Sequence, residues 1–123
     1  MRAEAKVLVI ADSTLSNQTF DIVPRWIDTC LHDHYHSKAD FFGISTHRPT
    51  RLLELHEDGC RLCCSEDLGN HFAYVTLSHC WGTLELFKLT KSNMEMLLLD
   101  IPLWKLCQTF QDAIIVTRKL NYG

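Results

Sequence analysis

The chain has 123 residues, 46% of them hydrophobic and 22% charged, with a net charge of −3. That is the composition of a globular domain with one moderate core, not of a disordered or fibrous chain. No basic face of the kind nucleic-acid binding requires is visible, and no apolar run approaches the ~20 residues that cross a bilayer. The run VLVIA (7–11) is cut off by Asp12 and falls short of a secretory core of roughly 7–15 apolar residues. A cytosolic chain is therefore expected. Its six cysteines should be reduced, buried or metal-bound rather than paired in disulfides.

Residues 1–18 read as a tail or a short strand at Val7–Ile10. From Phe20 to His34, the positions Phe20, Val23, Trp26, Ile27, Cys30, Leu31 and His34 recur at three- and four-residue steps and predict one face of a helix. Pro24 suits only a first turn, which favours a start near Val23. SKADFFGISTHRPT (37–50) reads as a loop. In RLLELHEDGCRLCC (51–64), two apolar-rich runs flank Glu57, Asp58 and Gly59, which predicts a β-hairpin with Gly59 at positive φ. SEDLGNHF is a second loop, and AYVTLSHCW (73–81) predicts a third strand.

Beyond Gly82 the pattern turns helical. Ser92 and Glu95 have capping-box spacing before MEMLLLD, a helix stopped by Pro102. Thr109 and Asp112 give a looser version before AIIVTRKL, with Gly123 suited to the C′ position. Phe110, Ala113, Ile114 and Leu120, together with Ile115 and Val116, place apolar groups on more than one side of this last helix, so it is expected to be largely covered. In an α/β sheet the covering element would be a strand parallel to residues 74–81, reached by a right-handed crossover. The chain carries no such strand and is expected to be cut short.

The blocks PTRLLEL (49–55), YVTLSHCWG (74–82), LTKSN (89–93) and TFQDAIIVTRKLNYG (109–123), in this order and spacing, resemble the HET domain of fungal heterokaryon-incompatibility proteins. RWIDTCLHDH (25–34) is similar to the helix that often precedes that domain. The resemblance implies residues 19–73 as a preceding helix and hairpin region, and 74–123 as the opening, incomplete part of the domain. It implies an α/β fold similar to a TIR-like or flavodoxin-like open sheet, truncated after the domain's second helix. It also implies a cytosolic effector of nonself recognition and programmed cell death. Some TIR relatives cleave NAD, which makes NAD or another nucleotide the ligand implied for the intact domain. The acidic residue that activity needs lies further along the domain, so no catalytic residue is assigned and the fragment alone is not expected to be an enzyme.

Strand alternation in YVTLSHCWG would turn Tyr74, Thr76, Ser78 and Cys80 one way, and Val75, Leu77 and His79 the other. His79 and Cys80 are then no nucleophile–base pair, which must meet within ~3 Å. Under the resemblance, Ser78, His79, Trp81 and Gly82 line a nucleotide-sized crevice at the carboxyl end of the strand, Trp81 by stacking and Ser78 or His79 by hydrogen bonding. The alternative makes Cys80 and Trp81 core and His79 a packing histidine. A NAD hydrolase built from these residues alone is a further alternative.

A second reading of the chain is a small zinc-stabilised interaction module held by Cys30, His34, Cys60 and Cys63. Cys30 and His34 share a helix face, and His32 and His36 form a second such pair. Zinc needs four tetrahedral ligands in a structural site, yet Cys60 and Cys63 point to opposite faces of a regular strand. Relatives often carry Cys-x3-His-x2-Cys in this helix, and this chain has Ser37 at the third position. Zinc is therefore not favoured. Arg48 and Arg51 flank Pro49-Thr50, where a phosphate would fit, although exposed arginines beside a hairpin are ordinary. Cys107 stands where relatives commonly have proline. The expected partners are other proteins of the incompatibility system, the remainder of the domain, or a second copy meeting exposed apolar surface.

Overall fold

The computed structural model describes residues 11–34, 48–70 and 72–121. The expected strand at 7–10, most of the loop at 37–50, His36 and the Gly123 cap lie outside the described residues. The described chain mixes helices with one small sheet. Helix α1 spans Asn17–Asp33, strands β1 and β2 span Arg51–Leu55 and Cys60–Cys64, helix α2 spans Met94–Leu99, and helix α3 spans Gln108–Lys119. Short 3₁₀ turns occupy Ser65–Leu68 and Leu103–Lys105.

Helix α1 begins six residues before Val23, because a cap outweighs the proline. The Ser16 hydroxyl accepts the Thr19 backbone N–H at 3.2 Å, satisfying a donor the helix cannot pair itself. Pro24 sits inside the helix, where it removes one N–H from the ladder. Phe20, Val23, Ile27, Cys30 and Leu31 are half-buried, as their spacing predicts. Trp26 departs from that face and is 67% exposed.

The hairpin forms in the expected place. β1 and β2 pair antiparallel from Arg51 opposite Cys64 to Leu55 opposite Cys60. The loop is His56–Gly59, closed by the His56 N–H donating to the Gly59 carbonyl at 2.9 Å. Gly59 is not in the left-handed region, so the expected positive φ is corrected. A four-residue loop around Glu57 and Asp58 closes without it. Alternation along β2 sends Cys60 and Leu62 to the core face, and Arg61 and Cys63 to the other. There Arg61 Nε donates to Glu54 Oε2 at 2.6 Å, between residues directly opposite each other.

The core is Cys60, Leu62, Leu97, Ile101 and Ile114, with Leu55, Phe87, Met94, Leu98, Leu103 and Leu106 packed around it. α2 lies on β2, and the Ile101 N–H donates to the Cys60 carbonyl at 2.8 Å, which ties the segment after α2 to the strand. α3 contributes Ile114 and brings Arg118 to the hairpin turn, where Nη2 donates to the Gly59 carbonyl at 2.7 Å.

Both expected capping boxes are replaced. Asn93 is the N-cap residue of α2 and makes no side-chain cap bond to the helix. It closes the preceding turn instead, with Oδ1 accepting the Thr90 N–H at 2.8 Å and Nδ2 donating to the Lys88 carbonyl at 3.1 Å. Ser92 turns to the Thr90 hydroxyl. Cys107 caps α3 without a side-chain bond, and Thr109 lies inside the helix. α3 stops before Asn121, whose φ of 60° supplies the left-handed residue expected of Gly123.

α3 is covered on one side only. Ile115 and Val116 are exposed, the uncovered apolar surface expected of a helix whose covering strand the chain does not carry. The predicted third strand is also corrected. Residues 72–82 form no ladder, and among the described residues the sheet has two strands. A segment becomes a strand only when a neighbour takes its N–H and C=O groups, and among the described residues none does so. The expected alternation of burial fails with it, since Val75, Thr76, Leu77, Ser78 and Cys80 are all exposed.

Candidate functional site

Residues 79–81 meet the first turn of α3. His79 and Phe110 stand edge to face, with ring centroids 4.7 Å apart at 89°. His79 and Trp81 lie 4.8 Å apart at 50°, and Trp81 and Phe110 lie 6.2 Å apart at 76°. These are the tilted and edge-on arrangements that the ring quadrupole favours. The three rings form a cluster open on one side, because Trp81 remains 60% exposed.

His79 Nδ1 lies 3.2 Å from the Cys80 carbonyl oxygen. A carbonyl can only accept, so this bond needs the Nδ1–H tautomer and leaves Nε2 of a neutral ring as an acceptor. The contact is to the Cys80 main chain, and His79 and Cys80 are not set up as base and nucleophile. Gly82 follows with φ of 66°, and nothing lies within 4 Å of where a Cβ would stand. Glycine takes this left-handed backbone without strain, and no side chain fills the space there. Ser78 is exposed.

Of the four crevice residues, His79 and Trp81 are thus brought into one cluster and Gly82 shapes the backbone beside it. Phe110 was read only as part of an apolar helix face. It lies 29 to 31 positions from its ring partners, and no local periodicity links an extended segment to a helix that far along the chain. The aromatic at the start of the FQDAI block was the available signal.

The four zinc candidates separate into two places. Cys30 Sγ and His34 Nδ1 are 3.4 Å apart at the end of α1. Cys60 is buried in the core face of β2, while Cys63 faces the other side and lies 3.6 Å from the Leu52 carbonyl. Among the described residues no group of three or more His, Cys, Asp or Glu side chains is placed to hold a metal ion. No disulfide joins any of the six cysteines. Burial raises the Cys60 thiol pKa, with Arg118 opposing and Asp100 reinforcing the shift. Burial, then Glu54, raises that of Cys63. Neither thiol is poised as a thiolate ligand or nucleophile.

Of the two arginines considered for phosphate, Arg48 is engaged elsewhere. Arg48 donates to the carbonyls of Gly69 (3.0 Å) and Asn70, and lies 5.3 Å from the centroid of the Phe72 ring. It clamps the loop that leads into residues 72–82. Arg51 is exposed at the start of β1. Among the described residues no helix is long and apolar enough to cross a membrane.

Neither the curated proteins nor the solved structures offer a match to this chain. Residues 74–123 do match a family model, described as Heterokaryon incompatibility protein (HET). That stretch holds α3 and the residues that precede it, among them His79, Trp81 and Phe110, and the match is consistent with a fragment of a heterokaryon incompatibility (HET) domain at residues 74–123.

Proposed function

We propose that the protein acts in nonself recognition and programmed cell death of fungal cells, in the cytosol, and that the corner at His79, Trp81 and Phe110 receives a planar ring of a nucleotide-like ligand, NAD among them. The observation that carries this reading is the three-ring cluster with Trp81 open to solvent, lying within the segment matched by the HET family. An exposed indole offers a stacking face, and such stacking contributes about 1–3 kcal/mol per base. Nε2 of the Nδ1–H tautomer adds one acceptor for an exocyclic amine. Gly82 keeps the approach to the rings clear. The fold read for the HET domain is a TIR-like open sheet.

Binding is the role assigned to this corner. The test is emission from Trp81, in a chain carrying Trp26→Phe and Trp104→Phe, titrated with AMP and with NAD. Saturable quenching that disappears in Phe110→Leu is expected. A linear response without saturation, or identical curves for the Phe110→Leu chain, would overturn the assignment.

A further inference from the structure

We infer that His79 makes the aromatic corner selective for an aminopurine, the base of an adenine nucleotide, through a fixed hydrogen-bond acceptor at Nε2. This selectivity presupposes the nucleotide site proposed above and adds which base it takes. The half-buried imidazole is held by its neighbours. Nδ1 lies 3.2 Å from the Cys80 carbonyl oxygen, the Phe110 ring stands edge-on at 4.7 Å, and the Trp81 indole lies at 4.8 Å. Turning the imidazole over would put a carbon where Nδ1 stands and lose the bond to the carbonyl. The carbonyl only accepts, so the proton stays on Nδ1 and the neutral ring offers a lone pair at Nε2. The bond at Nδ1 polarises the ring toward Nε2, which strengthens it as an acceptor.

An acceptor in this place distinguishes purines by what they carry on the edge. Adenine has an exocyclic amine, whose N–H donates to Nε2. Hypoxanthine has an oxo group at the same ring position, which sets lone pair against lone pair. Unsubstituted purine leaves the bond unmade. Trp81, 60% exposed, offers a stacking face that is indifferent to these substituents, because every base has a π-face. Affinity and choice therefore fall to different residues: Trp81 holds the ring and His79 reads its edge. Packing already fixes the imidazole, so little side-chain entropy is lost when the amine binds.

Calorimetry of the unaltered chain measures Kd for AMP, for purine riboside monophosphate, which lacks only the amine, and for IMP, which carries the oxo group. AMP should bind about two- to tenfold tighter than the desamino nucleotide, the effect of one neutral hydrogen bond. IMP should bind no tighter than the desamino nucleotide. His79→Phe keeps a ring for Trp81 and Phe110 and removes the acceptor, so it should bind all three alike. Circular dichroism checks that it keeps its helices, and His79→Leu takes its place if it does not fold. Saturable AMP binding matched by the desamino nucleotide, or an AMP preference retained in a folded His79 variant, would overturn the base selectivity and leave the nucleotide site standing. Absence of saturable binding by all three would overturn the nucleotide site itself, and the selectivity with it.

Discussion

The guanidinium of Arg118 reaches across 59 positions of sequence to the Gly59 carbonyl, 2.7 Å from Nη2. It joins the last turn of α3 to the tip of the hairpin, and two effects of similar size oppose each other in it. A hydrogen bond from a charged donor stabilises by about 1.5–3 kcal/mol, and a buried donor without a partner costs about 1–3 kcal/mol. Arg118 Nε is buried with no hydrogen-bond partner among the described residues. The Gly59 carbonyl also keeps the His56 N–H at 2.9 Å, so removing Arg118 does not orphan it. Arg118→Met, which retains much of the stem, is expected to lie within about 1 kcal/mol of the parent in urea melts. A loss above about 3 kcal/mol would show that Nε is satisfied after all.

The same arginine lowers the Cys60 thiol pKa against the larger effect of burial, which raises it. A thiol whose folded pKa exceeds its unfolded value binds more protons in the native state across the interval between the two. Stability from Cys60 is therefore complete below the ordinary thiol range, about 8.5, and is lost as pH rises through the folded pKa. Chemical melts at about pH 7.5 and about pH 10 should show a steeper alkaline loss in the parent than in Cys60→Ala. That variant gives up about 1 kcal/mol at neutral pH for the missing buried sulfur. Parallel pH profiles for the two chains would exclude Cys60 as the source.

The hairpin, α1 and the two later helices were legible because each leaves a local signature: two apolar runs around Glu57–Gly59, or three- and four-residue spacing from Phe20 to Leu31. Boundaries were less so. Ser16 capping α1 ahead of Pro24, and Asn93 binding Lys88 and Thr90 rather than its own helix, depend on turns that periodicity does not register. The third strand failed for a different reason. Val75, Thr76 and Leu77 have strand propensity, but a ladder also needs a neighbour, which propensity cannot supply. His79 and Trp81 were singled out by the SHCWG stretch, whereas Phe110 enters only through tertiary packing.

Gly69 follows the 3₁₀ turn with φ of 74° and ψ of −164°, a region used almost solely by glycine. Nothing lies within 4 Å of an added Cβ, so substitution strains the backbone without a clash. Gly69→Ala should cost about 1–3 kcal/mol, and Gly69→Asn should not rescue it, because asparagine tolerates the left-handed helical region rather than this one. Asn121, with φ of 60°, supplies the contrast: Asn121→Gly should be neutral or gain a few tenths of a kcal/mol. Equal melting temperatures for the parent and Gly69→Ala would show that this loop relaxes freely, despite the Arg48 contacts to Gly69 and Asn70.

Among the described residues six apolar side chains are buried while thirteen large ones are exposed. Leu99 at 82% and Trp104 at 79% are extreme cases on either side of the Ile101 anchor. Exposed apolar surface of this kind drives association, and the chain is expected to self-associate as its concentration rises. Leu99→Lys with Trp104→Ser should reduce that association and leave stability within about 0.5 kcal/mol per site, because both side chains are largely exposed and Trp104 has only the surface Lys105 ammonium over its ring. Sedimentation velocity across a concentration series distinguishes the outcomes. A parent chain that stays a single monomeric species throughout would show that these side chains are compatible with solvent, and that no partner surface need be sought there.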